Sequence, residues 1–280
     1  MEYSPLISAQ DISAAYDHTP VWEHASFTVN QGEFVAVIGP NGAGKTTLFQ
    51  ILLGLKKPSA GTISVFGELP RRGDARIGYV PQHHPMDKEL NLQAIELVML
   101  GLDGHRFGFR RAAKGRKQAL DALRVVEAEH LAAKPLGTMS GGELQRVFFA
   151  EALIGKPHLI LMDEPLANLD IKHGANLIQL INSIVRTHSV TVLLIDHNIN
   201  PMIHVLDSIM YIANGRIATG TPDAILTPAS LSALYGTNVE VLKDSQGRVA
   251  ILGIEEHIPH IQGHEHDHDS HHNHEHHAHL

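Results

Sequence analysis

Gly39-Pro40-Asn41-Gly42-Ala43-Gly44-Lys45-Thr46 places three glycines, a lysine and a hydroxyl in a run that fits the pattern G-x-x-x-x-G-K-[ST]. Glycines let a backbone curl until successive amide N–H groups point at one set of oxygens, and the positive end of a following helix adds to them. The chemistry is the cradling of phosphate. Lys45 would reach the terminal phosphates, and the Thr46 hydroxyl would sit on a Mg²⁺ that bridges two of them. Such a loop needs a strand before it and a helix after it. Phe34 to Ile38 reads as a strand apolar on both faces, and Thr47 to Leu53 reads as a helix.

Two further strand ends carry polar groups. Leu159-Ile160-Leu161-Met162 is apolar throughout and ends in Asp163-Glu164, where Asp163 suits a Mg²⁺ role and Glu164 suits polarising an attacking water. Val190 to Ile195 ends at Asp196-His197-Asn198, so His197 stands level with the carboxylates and within reach of a terminal phosphate. Gln82 follows the short strand Arg76 to Val80, and either contacts the metal or its water or is a plain polar loop residue. Tyr16 is either an aromatic that stacks on an adenine ring or an ordinary tyrosine.

Ser140-Gly141-Gly142-Glu143 makes a capping box that opens a helix through Leu144, Val147, Phe148 and Leu153. Two glycines in the first turn leave amides bare, and a bare helix N-terminus also binds phosphate. One nucleotide cannot occupy two distant helix termini of one subunit, which suggests a second copy of the chain. Ala167-Asn168-Leu169-Asp170 reads as a turn.

The elements that must position these groups are legible in outline. Leu6 to Ile12 and Ala25 to Val29 read as strands of a small antiparallel sheet, with Tyr16 between them, and Gly61 to Gly67 as a further strand. From about 83 to 139 the chain changes character: Leu92 to Leu100 and Lys117 to Glu129 have helical periodicity. Arg106, Arg110, Arg111, Lys114, Arg116 and Lys117 form a basic run there, either a solvated face or a surface close to anionic lipid or a partner. Val239 to Leu242 and Arg248 to Leu252 read as a terminal hairpin.

With 280 residues, 43% of them hydrophobic and 19% charged, the chain suits a globular protein with a real core. The absence of cysteine excludes disulfides, zinc-thiolate sites and thiol catalysis, and fits a reducing compartment. No signal peptide is evident, and no apolar run approaches the ~20 residues that span a bilayer. A net charge of −8 argues against nucleic-acid binding. Nine of the 22 histidines lie in residues 263–280, among four acids and no Lys or Arg.

Taken together the motifs resemble those of the ATP-binding cassette (ABC) ATPases. The Walker A motif (Gly39 to Thr46), the signature (Ser140 to Gln145), Walker B (Leu159 to Glu164) and the His197 switch occur in the family's order, over roughly residues 4 to 225. The resemblance implies an α/β fold: a RecA-like P-loop NTPase core with an antiparallel β subdomain and a helical signature subdomain. It implies a nucleotide-binding domain over residues 1–255, with the helical subdomain at about 83–140, and a His-rich tail over 256–280. ATP and Mg²⁺ are the implied cofactors. Tyr16 becomes the adenine-stacking aromatic; Gly39, Pro40, Asn41, Gly42, Ala43, Gly44, Lys45, Thr46 and Thr47 hold the nucleotide. Thr46, Gln82 and Asp163 hold Mg²⁺, with Gln82 the Q-loop residue. Lys45, Gln82, Glu164 (the base) and His197 are the catalytic set. Ser140, Gly141, Gly142 and Glu143 of one copy close on the nucleotide of another in an ATP-sandwich homodimer, with Asp170 as the D-loop contact. Met139 stands where the family usually has Leu, Glu143 where it often has Gln, and Asp196-His197-Asn198 differs from the frequent His-Asp order.

A lone cassette resembles the separate ATPase subunit of a bacterial importer at the cytoplasmic face of the membrane, working with an integral membrane permease and, through it, an extracytoplasmic metal-binding protein. Gly78-Tyr79-Val80-Pro81-Gln82, Gly220-Thr221-Pro222, Leu234-Tyr235-Gly236 and Val239 to Leu242 resemble the zinc and manganese uptake group. Zinc is the expected cargo, with manganese or iron as the alternative. A soluble cassette protein of translation or DNA repair would carry tandem cassettes or a long coiled-coil insert, and a metal-storage protein would not need the full motif set. The tail histidines His264, His266, His268, His271, His272, His274, His276, His277 and His279 have ligand chemistry for Zn²⁺. Acids alternate with them and no run of six occurs, unlike a purification tag.

Overall fold

The computed structural model describes residues 5–82, 92–103, 112–167 and 169–253. The histidine tail, Asn168, Arg106, Arg110 and Arg111 lie outside them, whereas Lys114, Arg116 and Lys117 are exposed.

The three apolar runs singled out in the sequence become β3 (Phe34–Ile38), β6 (Leu159–Asp163) and β7 (Thr191–Ile195), in which every residue is buried. Strands so apolar must be covered on both faces, which is the condition of a parallel sheet's interior. They lie side by side in a six-stranded sheet of order β5-β6-β7-β3-β8-β9, where β5 is Ile77–Val80, β8 is Ser208–Ala213 and β9 is Arg216–Gly220. All pairings are parallel except β8 with β9. Alternate residues serve opposite faces. Phe34, Ala36, Ile160, Met162, Val192 and Leu194 pack among helices, while Val35, Val37, Leu159, Leu161, Leu193 and Ile195 pack towards α1 (Lys45–Leu52) and the second sheet.

That second sheet has the order β2-β1-β4, from β1 (Ile7–Tyr16), β2 (Thr19–Val29) and β4 (Ala60–Val65), with both pairings antiparallel. Tyr16 ends β1 rather than standing in a loop between strands. Trp22 of β2 is fully buried beneath the phosphate-cradle loop. Between β5 and β6 come α2 (Ala94–Asp103), α3 (Ala112–Val125) and α4 (Gly141–Ile154), packed on one another. Sequence patterning assigns neither α5 (Ile171–His188) nor β8 and β9. The sequence of α5 nonetheless carries Leu177, Ile178, Ile181, Ile184 and Val185 on one buried stripe, at the spacing of a helix face. Asp170 caps it, its Oδ1 accepting the His173 amide at 2.9 Å. The short helices α6 (Pro222–Ile225) and α7 (Pro228–Tyr235) lead to the terminal hairpin of β10 (Glu240–Lys243) and β11 (Val249–Leu252).

Register is what gathers the site. Val37 of β3 and Asp163 of β6 both pair with Ile195 of β7. The residues that follow, from Ile38-Gly39, Glu164 and Asp196-His197, therefore leave three neighbouring strands at one level.

Candidate functional site

The cradle loop is held from both sides. Gly39 has φ +147°, and a Cβ there would stand 2.0 Å from the Ile212 carbonyl oxygen of β8, so only glycine lets the loop pass that close. Gly44, at φ +96°, packs on Val21 and Trp22, and the Trp22 indole N–H donates to its carbonyl at 3.4 Å. Gly44 is also the N-cap of α1, and supplies no side-chain cap. The first amides of α1 consequently lack a side-chain acceptor, which is the condition for binding an anion there.

Lys45 is only 6% exposed. Its ammonium donates to the carbonyls of Gly39 (2.8 Å) and Pro40 (3.0 Å). Burial pulls its pKa below the usual lysine range, while Glu164, Asp163 and Asp196 oppose that by favouring the charge. The Thr46 hydroxyl donates to Asp163 Oδ2 at 3.4 Å, bringing two hard oxygen donors together from different elements. Such donors suit Mg²⁺, which prefers oxygen ligands and keeps company with phosphates.

Glu164 takes φ +47°, a left-handed conformation that costs a non-glycine residue about 1 to 3 kcal/mol. Its amide donates to Ile195 O at 2.9 Å, which fixes the turn-out from the sheet. The Gln82 side-chain amide donates to Glu164 Oε2 at 2.6 Å, so the two residues named separately in the sequence meet, 82 positions apart. Next to them His197 is exposed, with Nδ1 3.5 Å from Asp196 Oδ1. Asp196 is 1% exposed, and its Oδ2 has no hydrogen-bond partner among the described residues. Burial raises its pKa, while the amide of Asn198 and the neighbouring His197 hold it down. Sequence reasoning gives Asp196 no role of its own. The signal for one is there: a carboxylate directly after the apolar run Val192 to Ile195.

Tyr16 does not stand bare. Lys56 Nζ lies 3.8 Å over its ring and its hydroxyl donates to Gln50 Oε1 at 2.7 Å, so any second ring stacks on the other face or displaces the ammonium.

The second glycine-rich helix start is built differently. Ser140 caps α4 in a full capping box: Ser140 Oγ accepts the Glu143 amide (3.4 Å), and Glu143 Oε2 accepts the Ser140 amide (2.8 Å). Lys134 Nζ bonds both oxygens of Glu143, at 2.7 and 2.8 Å, and holds its pKa below the usual carboxylate value. Ser140, Gly142 and Glu143 line a cavity of about 340 Å³ with Arg146, His130 and His173. Asp170 is exposed nearby, its pKa lowered first by the backbone amide and then by the ring of His173.

What this arrangement can do is bind a polyphosphate at the bare end of α1 and present a carboxylate, an amide and an imidazole at its outer end. The family profile of the ABC transporter matches residues 22–167. The zinc import ATP-binding protein ZnuC 1 of Hahella chejuensis is 34% identical over 237 residues, which is 85% of this chain and 86% of that protein. A metal-chelate-type ABC transporter solved in an inward-facing conformation superposes with a TM-score of 0.76 at 25% identity, over 89% of this chain and 98% of that one. An ATP-binding cassette solved as a dimer in a post-hydrolysis state, bound to ADP and Pi, superposes with a TM-score of 0.66 at 27% identity, over 77% and 98%. With half of its length matched by the family profile and a relative above 30% identity across most of it, this chain belongs to the ABC transporter family.

Proposed function

We propose that the chain is the ATP-hydrolysing subunit of an importer that takes up a divalent transition metal, zinc, through a separate membrane permease. The observation that carries the ATPase is the meeting of Lys45, Thr46, Asp163, Gln82 and Glu164 at three aligned strand ends. The cargo reading is supported by the zinc-import name of the relative.

The amides of the Gly39–Thr46 loop and of α1, extended by Thr47, hold the phosphates of ATP, and Lys45 turns its ammonium from the loop carbonyls to the terminal phosphates. Thr46, Asp163 and Gln82 are the residues that would hold Mg²⁺. That ion, when bound, neutralises charge on the phosphate oxygens. Glu164 orients the attacking water and accepts its proton, and Gln82 fixes which carboxylate oxygen faces away. His197 donates to the γ-phosphate, with Asp196 behind it to keep the ring turned. Tyr16 stacks on the adenine ring. Ser140, Gly141, Gly142 and Glu143 of a second copy close over the same phosphates, with Asp170 at the junction, and closure drives the permease.

The assembly stands at the cytoplasmic face of the membrane, and an extracytoplasmic metal-binding protein feeds the permease. The nucleotide-binding unit spans residues 1–255. The tail, 256–280, binds Zn²⁺ through its histidines and lowers transport when loaded. Deleting residues 263–280 should then abolish zinc inhibition of the assembled transporter; inhibition that persists removes the tail from the reading. Elemental content of metal-starved cells tests the cargo: Glu164→Gln should lower cell zinc alone, whereas a fall in manganese or iron with zinc unchanged assigns a different cargo.

A further inference from the structure

Asp170 is held by more than a helix cap requires. Its Oδ1 accepts the His173 amide, which already caps α5, and its Oδ2 accepts the His173 ring Nδ1 at 2.7 Å. A carboxylate can only accept, so Nδ1 carries the proton. Both side chains are about two-thirds exposed (63% and 65%), and a pair so placed contributes little to stability. What the second bond does fix is the rotation of the carboxylate. The ring's other edge faces the signature helix: a side chain at Gly142 would have its Cβ 3.7 Å from His173 Cδ2 and 3.7 Å from Leu169 Cδ2. One imidazole thus holds the carboxylate that caps α5 and lines the same cavity as Ser140, Gly142 and Glu143 at the start of α4.

The charged groups that face the ring are engaged elsewhere. In the shared cavity Glu143 is bound by Lys134, and Arg146 donates to Val126 O and Glu127. His130 lines the same cavity. Beside the pair, Ile171 is 92% exposed, an apolar side chain in the first turn of a helix with a full apolar stripe of its own already buried.

We infer that His173 is a positioning residue: it locks the Asp170 carboxylate and the signature turn into one unit that meets a second copy of the chain. The inference rests on the ATP-sandwich reading above and adds to it the residue that orients the junction. It also explains why Oδ2 is not left to water.

The test uses the full chain carrying Glu164→Gln, with Mg-ATP, and reads the monomer–dimer equilibrium by light scattering. His173→Ala removes donor and ring; His173→Phe keeps a ring without a donor; His173→Asn returns an amide donor close to the Nδ1 position. Ala and Phe should weaken the dimer about tenfold, and Asn should stay within about threefold of the parent, since a hydrogen bond to a charged group is at stake. Monomer affinity for a fluorescent ATP analogue and Tm should be the same in all three, which a purely structural residue would not allow. Asn weakening the dimer as much as Ala, or no variant changing it, overturns the inference alone. A Glu164→Gln parent that stays monomeric with ATP overturns the sandwich reading and the inference with it.

Discussion

Two helices of this chain begin at glycines, and the two beginnings are finished in opposite ways. The N-terminus of α1 has Gly44 as its cap, no side-chain acceptor, and a buried lysine as its second charge. That of α4 has a serine cap, a reciprocal glutamate, and a lysine paired to the glutamate. The first leaves its amides open to an anion. The second has its Ser140 and Glu143 amides satisfied by the capping box, and offers a phosphate the glycine amides and the dipole. A bare end built over the buried Trp22 binds nucleotide by itself; a satisfied end binds weakly and gains only when another group delivers the phosphate. That asymmetry suits a site made by two copies, one holding ATP and one closing on it.

Substitutions at the first end and at the catalytic strand ends should act on nucleotide and chemistry, with large effects. Glu164→Gln should lower turnover by about 10²- to 10⁴-fold, the range for loss of a general base, while equilibrium binding of ATP is retained. Steady-state ATPase and filter binding check this together. Lys45→Met should cost ATP affinity about 10- to 10²-fold, the range for loss of one hydrogen bond to a charged group, measured by fluorescence titration.

At the second end the effects should be smaller and should leave ATP binding by the monomer untouched. Ser140→Ala removes the cap of α4 and should lower stability by about 1 kcal/mol in urea titrations. Because Glu143 Oε2 still accepts the amide of residue 140, the loss stays near the lower end of what caps contribute. Lys134→Met should cost less still, under about 1 kcal/mol, since the pair is partly exposed. The pH dependence follows from the sign of the shift. Glu143 has its pKa lowered from 4.5 by Lys134, so the pair's stabilisation is complete above that value and is lost as pH falls through the lowered pKa of the folded chain. The stability difference between wild type and Lys134→Met should accordingly shrink below about pH 4.5, read from urea midpoints at pH 3.5 and 7.

The contrast between the two ends is legible in the amino-acid sequence, because each end is local. Ser140 and Glu143 stand three apart, and Gly44-Lys45-Thr46 follow a strand, so chain distance is spatial distance. The core strands β3, β6 and β7 are equally readable, being short runs with no polar residue until their ends. Boundaries shift by a few residues, as with α3, which runs 112–125 rather than 117–129. Other elements carry a signal that sequence reasoning missed. Asn214-Gly215, both left-handed, is a two-residue hairpin turn joining β8 to β9, and Asp170 before the Leu177 to Val185 stripe announces α5. What no local signal carries is register. That Gln82 meets Glu164, that Lys56 covers Tyr16, and that Trp22 lies under Gly44 depend on how separate strands align, and side-chain period alone leaves those pairings open.

The most direct test is the light-scattering mass of Glu164→Gln with and without Gly142→Asp, at saturating Mg-ATP. An aspartate in the first turn suits α4 itself but repels a phosphate brought to it. The parent should double its mass from 30.6 kDa on adding ATP, and the double variant should bind ATP with unchanged affinity yet remain a monomer. If the double variant still dimerises with ATP, the end of α4 takes no part in the nucleotide site, and the two helix starts do not work as a pair.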